Sequence, residues 1–403
     1  MNVLFVAPYV PTLIRVRPYN FVRHLVRAGH RITLVTLWET DAERDAIESL
    51  RAEGIAVIAV PLSRNRKLIN LLSALPTSKP LQANFCWQPE LAALIDQQLS
   101  TDQFDVIHVE HLRGSRYALH AKSHIAHRTS HIPVVWDSVD SITHLFEQAA
   151  QQSQSAKGRL MTAFELPRTR RHEGWLATQF DRVLVTSPVD KAAIEKISPQ
   201  RAQIEVLPNG VDLAYFAPDD TLREPDSLVF SGKMSYHANI TAALHLAHDI
   251  MPAVWAQRPQ VTLTIAGKDP TPEVQALAEK HPGRVIVTGS VTDMRVYLRK
   301  ASAAVVPVVY GAGIQNKVLE AMACGTPVVT SEKTVRSLQP GYEQALCVAN
   351  SPQQFAEAVL RLLNDDAARA RLGGAGRAYI KAHHDWRAIV ERLMGIYQAA
   401  AKA

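Results

Sequence analysis

The sequence predicts an α/β protein of two doubly wound domains, each with a parallel sheet between layers of helices. The chain has 403 residues, more than one hydrophobic core usually organises. Short runs rich in valine and isoleucine alternate with helical patterns, which is typical of parallel sheets with crossover helices. A turn-rich stretch from Pro208 to Pro218 separates two such series, so we expect the domain boundary there.

The first series begins with an apolar run that lacks a positively charged n-region and meets Pro8 early. We therefore expect a buried first strand rather than a signal peptide. A helical pattern follows, and Gly29 can end it. The strands predicted for this half are "NVLFVAP", "HRITLVTL", "IAVIAVPL", "FDVIHVE", "IPVVWDS" and "RVLVTS".

The second series follows "LPNGVDLAYFAP" and has the same alternation. Its predicted strands are "SLVFSGK", "VTLTIAGK", "VIVTG", "AAVVPVV" and "TPVVTS", with helices such as "TAALHLAHDIMPAVWAQR" between them. The last segment, "HHDWRAIVERLMGIY", places apolar residues at helical spacing and predicts an amphipathic helix.

Composition and absent motifs exclude several classes of protein. The net charge of +6 fits an anionic ligand or an anionic membrane surface and is too weak to indicate nucleic acid. The three cysteines are widely spaced, which argues against a zinc site or a disulfide framework and for a reducing compartment. The sequence has no GxGxxG after the first strand, no GxxxxGK[ST] and no GxSxG, so dinucleotide oxidoreductases, P-loop NTPases and α/β-hydrolases are disfavoured.

The stretch "GAGIQNKVLEAMACGTPVV" combines a small-residue turn, a helix start, a lysine and a carboxylate. Backbone N–H groups at a helix N-terminus favour an anion, and Lys317 adds a full charge. Glu320 would be repelled by a diphosphate, so we expect it to bind ribose hydroxyls. The implied ligand is a nucleoside diphosphate. The alternative is a surface Lys–Glu pair on a plain strand-turn-helix.

Further polar residues follow other predicted strands. Gly232 and Lys233 end "LVFSGK", where they can meet phosphate, although "IAGKDP" has the same shape. In the first half, His108, Glu110 and His111 end one strand and Asp137, Asp140 and Ser141 end another. Binding of hydroxyl-rich substrates or acid–base chemistry is one interpretation of these residues; helix caps and satisfied loop residues are the other. No zinc-ligand spacing is present.

Taken in order, these motifs resemble a GT-B glycosyltransferase of the family 4 type, and within it the sugar transferases of exopolysaccharide loci. The resemblance is carried by "FDVIHVE", "VLPNGVDLAYFAP", "FSGK", "GAGIQNKVLEAMACGTPVV" and the C-terminal segment. It implies two Rossmann-like domains that face each other across a cleft. The acceptor-side domain would comprise residues 1–207 and 385–403, the donor domain residues 208–384, with the last helix crossing back and Trp386 near the crossing.

The resemblance also implies the chemistry: transfer of a sugar from a nucleotide-diphospho-sugar, with retention, to a saccharide or lipid-linked acceptor, with no metal and no cofactor. The implied catalytic residues are Lys233, Lys317, Glu320 and His111. The implied donor-binding residues are Gly232, Gly311, Gly313, Ile314, Gln315, Asn316 and Asn209. The implied residues on the acceptor or sugar side are Arg15, Arg17, Glu110, Asp137 and Asp140. No nucleic acid is expected as a partner.

Two departures from the family pattern keep alternatives open. Position 312 is alanine where the family's E-x7-E signature, which Glu320 would complete, has its first glutamate. The first loop carries Arg15 and Arg17 in place of a double glycine, and both are expected to face the cleft. A nucleotide-sugar epimerase, a phosphorylase or an inactive nucleotide-binding partner subunit are therefore alternatives to the transferase.

The segment "SRNRKLINLLSAL" opens with basic residues and continues with Leu68, Ile69, Leu72 and Leu75 at helical spacing. It predicts either a helix that packs on the core or one that lies in an anionic membrane interface. The family resemblance favours the interface. We therefore expect a cytoplasmic protein that binds weakly to the inner face of the membrane.

Overall fold

The computed structural model describes residues 1–127, 131–152, 156–309 and 315–402, and for residues 151, 152 and 156–159 the backbone alone. The chain forms two compact units, one of Met1–Pro208 with Trp386–Ala403 and one of Asn209–Asp385. The boundaries expected from the sequence, after residue 207 and before residue 385, differ from these by one residue each.

The first unit contains a seven-stranded parallel sheet with the order β3-β2-β1-β4-β5-β6-β7. The strands are β1 (Asn2–Ala7), β2 (Arg31–Trp38), β3 (Ala56–Pro61), β4 (Val106–Glu110), β5 (Val134–Val139), β6 (Arg182–Val185) and β7 (Ile204–Val206). All but the short β7 are predicted from the sequence.

Helices cover both faces of this sheet. They are α1 (Val16–Arg27), α2 (Asp41–Ala52), α3 (Arg64–Ala74), α4 (Leu81–Phe85), α5 (Pro89–Thr101), α6 (His111–Ile125), α7 (Ile142–Gln152), α8 (Ala156–Ala177) and α9 (Pro188–Ile197). Alternate side chains of β1 point to opposite faces, as the two-residue period of a strand requires. Phe5 therefore joins the apolar core under α1 and α2, and Leu4 the core under α5 and α6.

The second unit repeats this plan with six parallel strands in the order β10-β9-β8-β11-β12-β13. The strands are β8 (Ser227–Ser231), β9 (Thr262–Ala266), β10 (Val285–Val287), β11 (Ala303–Val306), β12 (Val328–Thr330) and β13 (Cys347–Val348). The two-residue strand β13 is not predicted from the sequence.

Eight helices of this unit lie within the described ranges. They are α10 (His237–His245), α11 (Met251–Gln257), α12 (Pro272–Lys280), α13 (Met294–Lys300), α14 (Asn316–Ala323), α15 (Glu332–Val335), α16 (Pro352–Asn364) and α17 (Asp366–His383). The helix predicted over residues 241–258 is interrupted by a π-helical segment, Leu246–Ile250, just before Pro252. Proline has no N–H to donate within the helix, which is a common cause of such irregularities.

The last helix, α18 (Trp386–Ala401), belongs to the first unit, as the family resemblance implies. Its apolar face joins the core that α1 and α2 cover. The Trp386 and Phe21 rings meet edge to face with centroids 5.6 Å apart, and the Tyr397 hydroxyl lies 2.8 Å from Nδ1 of the buried His108.

In each unit the strand order reverses between two neighbouring strands, β1 and β4 in the first and β8 and β11 in the second. Successive helices cross to opposite faces at such a point, and this leaves a crevice at the carboxyl ends of the two strands. Each unit therefore has one position where its topology favours a ligand.

The connection after α14 is held by close packing against α17. A Cβ atom on Gly373 would lie 2.2 Å from the carbonyl oxygen of Gly325, whereas a Cβ on the next residue, Gly374, would meet no atom within 4 Å. A backbone oxygen cannot move aside as a flexible side chain can. The glycine at position 373 is therefore required by packing, and the one at 374 is not.

We expect Gly373→Ala to lower the free energy of unfolding by about 1–3 kcal/mol, the usual cost of overpacking. Gly374→Ala should raise it by up to about 1 kcal/mol, because alanine favours the helix over glycine. Urea denaturation of the two variants and the wild type measures both effects. Equal stability of the two variants would contradict the close packing of α17.

Candidate functional site

At the carboxyl end of β8 the backbones of two glycines touch. Gly232 and Gly267 have φ angles of 150° and 149°, a region that side chains disfavour. A Cβ atom on Gly267 would lie 1.7 Å from the carbonyl oxygen of Gly232. The similar sequences "FSGK" and "IAGK" therefore have one physical cause, the close approach of the turns after β8 and β9.

Lys317 reaches from α14 to this point. Its Cε atom lies 3.2 Å from where a Cβ on Gly232 would be, and its Nζ is 5.9 Å from the centroid of the Phe230 ring in β8. Nζ donates a hydrogen bond to Oε1 of Gln315 at 3.0 Å. Burial lowers the pKa of Lys317 to about 8, and the charge of Glu320 acts in the opposite direction.

Lys233 lies on the same edge but in a different environment. About half of its side chain is exposed, and Nζ is 3.8 Å from Oδ2 of Asp269. Its backbone carbonyl accepts a hydrogen bond of 2.9 Å from Nδ2 of Asn239, which is 5 % exposed. Asn239 therefore fixes the turn that carries Lys233. Sequence reasoning missed this role, because it placed the helix start after Asn239, whereas α10 begins at His237.

Glu320 is half-buried on α14, one turn beyond Lys317. Its side chain makes no hydrogen bond or ion pair with any residue in the described ranges, so the surface Lys–Glu pair considered above does not form. Burial raises its pKa to about 7, and the charge of Lys317 opposes that shift. The carboxyl group is thus free to meet a ligand.

The start of α14 differs from the prediction in one detail. Gln315 is the N-cap residue and Asn316 the first helical residue, although Asn316 can be read from the sequence as the cap. Oδ1 of Asn316 is buried without a hydrogen-bond partner among the described residues. Asn209 lies at the start of the second unit, where its carbonyl oxygen is 2.7 Å from Nδ1 of His384. Gly311, Ala312, Gly313 and Ile314 lie outside the described residues.

In the first unit, Glu110 ends β4 next to Tyr9 and is 1 % exposed. Its Oε2 has no hydrogen-bond partner in the part of the chain that the structure describes. Burial raises the pKa of Glu110 well above its ordinary value, and the charge of Asp137 adds to this. A protonated carboxyl group is a hydrogen-bond donor as well as an acceptor, which suits recognition of hydroxyl groups.

His111 begins α6 with a φ angle of 65°, an unfavourable backbone conformation for a residue with a side chain. Its carbonyl oxygen accepts a hydrogen bond of 3.3 Å from Nε1 of Trp136, which helps to hold that conformation. Burial lowers the pKa of His111 to about 3, with the charge of Arg113 as a second cause. The imidazole is therefore neutral at pH 7.

Arg17 is expected from the sequence to face the cleft, but Arg17 is buried, and so is Asp137. They are 3 % and 0 % exposed and form an ion pair with 2.7 Å between Nε and Oδ2. Arg17 also donates to the carbonyl oxygen of Leu207, so it joins β5 to the segment just after β7. His108 lies 3.7 Å from Oδ2 of Asp137 and is held by Tyr397 of α18. Arg17, Asp137 and His108 therefore form a buried polar cluster that stabilises the carboxyl ends of β4 and β5.

The other two acceptor-side residues are more accessible. Arg15 is 37 % exposed, pairs with Glu43 at 2.9 Å and stacks over the Tyr9 ring. Asp140 is half-buried and accepts a hydrogen bond of 3.0 Å from the Thr186 hydroxyl. Burial raises the pKa of Asp140 to about 7, and the nearby charge of Asp190 acts in the same direction.

The described residues thus contain two polar sites, each at the strand reversal of its unit. The second unit brings together Lys233, Lys317, Glu320 and Gln315, and the first unit Arg15, Glu110 and His111. Within the ranges described, no group of three or more His, Cys, Asp or Glu side chains is arranged to hold a metal ion. The site in the second unit is cationic, whereas the site in the first unit combines the charged Arg15 with Glu110 and a neutral His111, which suit hydroxyl groups.

Comparison with known proteins matches each unit separately. Residues 14–210 match the model of the "Glycosyl transferase 4-like domain", and residues 225–365 match that of "Glycosyl transferases group 1". The chain is 30 % identical over 244 residues to a glycogen synthase of Mycobacterium tuberculosis, with 57 % of each protein covered. It is 27 % identical over 271 residues to a phosphatidyl-myo-inositol mannosyltransferase of Mycolicibacterium smegmatis, with 62 % of this chain and 67 % of that protein covered.

Solved structures match over the full length. HepE of Anabaena in complex with UDP covers 99 % of this chain and 100 % of its own, with a TM-score of 0.68 and 14 % identity. The sucrose-phosphate synthase of Thermosynechococcus elongatus covers 99 % of both chains, with a TM-score of 0.68 and 18 % identity. With both units matched by glycosyltransferase models and the whole chain by structures of this fold, the chain belongs to the GT-B glycosyltransferases.

Proposed function

We propose that the protein transfers a sugar from a nucleotide-diphospho-sugar to an acceptor hydroxyl group. The observation that carries the proposal is the approach of Lys317, from the N-terminal turn of α14, to Gly232, the residue before Lys233 at the carboxyl end of β8. Two cations and a helix N-terminus at the strand reversal form a site for a diphosphate. HepE, which has this fold, was crystallised with UDP and with UDP-glucose, and this supports the proposal.

Lys317 is suited to stabilise the departing diphosphate. Negative charge develops there as the bond to the sugar breaks, and charge stabilisation is most effective where little water competes. Burial has already lowered the pKa of Lys317 to about 8, so its ammonium group is poorly solvated before any ligand arrives. A diphosphate would replace the missing solvation. Lys233, which is half exposed, would add a second and weaker contact.

Glu320 would bind the ribose. Its carboxyl group has no partner among the described residues and lies one helical turn beyond Lys317. Two adjacent hydroxyl groups can donate to the two oxygens of one carboxylate. Repulsion between the carboxylate and the diphosphate would then help to orient the nucleotide, with the ribose toward Glu320 and the phosphates toward the lysines.

The first unit would bind the acceptor. The acceptor oxygen forms the new bond to the anomeric carbon, the bond from that carbon to the diphosphate oxygen breaks, and the acceptor proton passes to the departing diphosphate. Glu110, at the end of β4, and the neutral His111 would orient hydroxyl groups of sugar or acceptor. Retention of anomeric configuration is part of the proposal and rests on the family resemblance.

We further propose that α3 lies against an anionic membrane surface. Leu68, Ile69 and Leu72 of α3, and Leu75 just after it, are 56 %, 55 %, 56 % and 44 % exposed, so a helix packed on the core through these residues is the wrong interpretation. Arg168 of α8 donates to the carbonyl oxygen of Leu75, and α8 exposes further apolar residues, Leu160, Met161 and Phe164. None of the helices in the described part of the chain is long and apolar enough to cross a membrane.

The basic residues near this apolar surface fit anionic lipids. Arg64, at the start of α3, and Lys79, beyond its end, are exposed. Each basic residue close to an anionic surface contributes roughly 1 kcal/mol to binding. Lys67 is less available, because it pairs with Glu39 at 2.5 Å. The relative from Mycolicibacterium smegmatis is named for a lipid acceptor, which is consistent with work at a membrane.

The diphosphate site is tested with UDP, GDP, ADP and dTDP by thermal shift and calorimetry. Lys317→Ala should lower the affinity for whichever nucleotide binds by about 10- to 100-fold, as for a lost charge-assisted hydrogen bond. Once a donor is known, the same substitution should lower kcat/KM by about 100-fold. Lys233→Ala should have a smaller effect. Lys300→Ala, which removes an exposed lysine paired with Glu224, should have none.

The pH dependence of binding gives an independent check. The folded pKa of Lys317 is about 8, lowered from 10.5, so the free protein loses this charge as pH rises through about 8. Affinity for the diphosphate should fall over that range in the wild type and stay level in Lys317→Arg. A flat profile in the wild type, or full affinity in Lys317→Ala, would remove Lys317 from the site.

Glu320→Gln should weaken binding of the nucleoside diphosphate and of the nucleoside alone by about tenfold, because the ribose is common to both. Lys317→Ala should weaken the diphosphate but leave the nucleoside unchanged. Glu279→Gln, which alters an exposed carboxylate on α12, is the matched control. If Glu320→Gln affected only the sugar-bearing donor, Glu320 would bind the sugar and not the ribose.

Membrane binding is tested by co-sedimentation with phosphatidylcholine vesicles that contain, or lack, phosphatidylglycerol. Binding should require the anionic lipid, weaken as salt is added, and fall in the double variant Ile69→Gln with Leu72→Gln. Leu222→Gln removes an 88 % exposed leucine from the second unit and should bind like the wild type. Equal binding of the double variant and this control would exclude α3 as the membrane contact.

A further inference from the structure

The first unit contains a chain of contacts, made by side chains and two backbone N–H groups, that begins and ends at Arg15. The guanidinium of Arg15 stacks over the Tyr9 ring, with 4.6 Å between Cζ and the centroid. The Tyr9 ring meets the His111 ring edge to face at 6.2 Å. Nδ1 of His111 in turn accepts a hydrogen bond of 3.3 Å from the backbone N–H of Arg113. These contacts join the ends of β1 and β4 to the first turn of α6.

The chain continues through an aromatic ring shared by two cations. Cζ of Arg113 and Nζ of Lys67 lie 5.3 Å and 5.5 Å from the centroid of Phe85. Lys67 pairs with Oε2 of Glu39 at 2.5 Å. Glu39 follows β2 directly, so the contacts have now reached a third strand end, next to that of β1.

Glu43 closes the circle. Its Oε2 accepts a hydrogen bond of 2.7 Å from the backbone N–H of Glu39, and its Oε1 lies 2.9 Å from Nη1 of Arg15. We name this closed set, with its three cations Arg15, Lys67 and Arg113, the basic ring. It borders the carboxyl ends of β2, β1 and β4, which are neighbours in the sheet.

The buried thiol of Cys86 comes directly after Phe85 in the chain and is affected by the charges of the ring. Burial raises its pKa to about 11. The charges of Arg113, Lys67 and Arg15 oppose this shift, and that of Glu39 adds to it.

Arg113 differs from the other two cations. Arg15 is neutralised by Glu43 and Lys67 by Glu39, but Arg113 has no carboxylate partner among the described residues. Its Nε–H is buried and also lacks a hydrogen-bond partner in the described ranges. A buried charged donor without an acceptor is uncommon in folded proteins and needs an explanation, of which a further bound group is one.

We propose that Arg113 binds a phosphate or diphosphate group of the acceptor. Three cations and two carboxylates leave the basic ring with an excess of one positive charge, since His111 is neutral. A guanidinium binds phosphate through two parallel N–H groups, and the N-terminus of α6 adds to the attraction. The proposal rests on the proposed function, because it names the class of acceptor that the first unit takes.

The test separates this site from the donor site by using Lys317→Ala as the background. Inorganic pyrophosphate is titrated into that variant by calorimetry, and binding should remain. Adding Arg113→Gln should weaken the remaining binding about 10- to 100-fold, and Arg113→Lys should weaken it less, because the charge stays but the paired N–H groups are lost. Arg116→Gln is the matched control: Arg116 lies on the same helix but stacks on Trp87 at 4.0 Å.

Two further probes identify the source of the phosphate. Glucose 1-phosphate that competes with pyrophosphate supports a free sugar phosphate. The second probe is vesicles of phosphatidylcholine that contain either phosphatidic acid or diacylglycerol. Binding to the phosphatidic acid vesicles alone, and only when Arg113 is present, supports a lipid phosphate. Loss of all pyrophosphate binding in Lys317→Ala, or equal binding by Arg113→Gln and Arg116→Gln, would overturn the proposal. Either result would leave the nucleotide site in the second unit untouched.

Discussion

All strands of a parallel sheet end at the same edge, and in both units this constraint decides where polar residues can meet. The order of strands reverses between β1 and β4 in one unit and between β8 and β11 in the other. Helices diverge at each reversal, so the residues that follow those strands are not covered. Lys233 follows β8, and Glu110 ends β4. Within each unit, topology alone thus brings residues that are distant in the sequence to one edge of the sheet.

The ionisable groups at these edges are largely buried, and burial changes their pKa values. Burial lowers the pKa of Lys317 and raises that of Glu320, so each is held in a state that a ligand of the right charge or hydrogen-bonding pattern would relieve. In the first unit burial raises the pKa of Glu110 and lowers that of His111, which favours neutral forms of both. The site around Lys317 therefore suits an anion, and Glu110 and His111 suit hydroxyl groups, although the same physical effect acts on all of them.

The strands and the turns that follow them could largely be predicted from the sequence, because β-branched runs and small-residue turns are local signals. The signals failed where a role depends on distant partners. Arg17 stands in an exposed-looking loop sequence, yet it pairs with Asp137, whose position only the folded sheet determines. Asn239 and Arg113 belong to no motif, and their roles come from a turn and an aromatic ring that lie elsewhere in the chain. Strand β13, with two residues, is too short for any periodicity to show.

The return of α18 to the first unit has a consequence for how the protein is made. The second unit is inserted in the chain between Pro208 and Trp386, so the core beside α1 lacks Trp386, Leu393 and Tyr397 until those last residues have left the ribosome. The second unit, complete by Asp385, can close its own core earlier. During synthesis the first unit therefore completes its core only after the second unit has been made, and the apolar surface left open until then is what chaperones would have to protect.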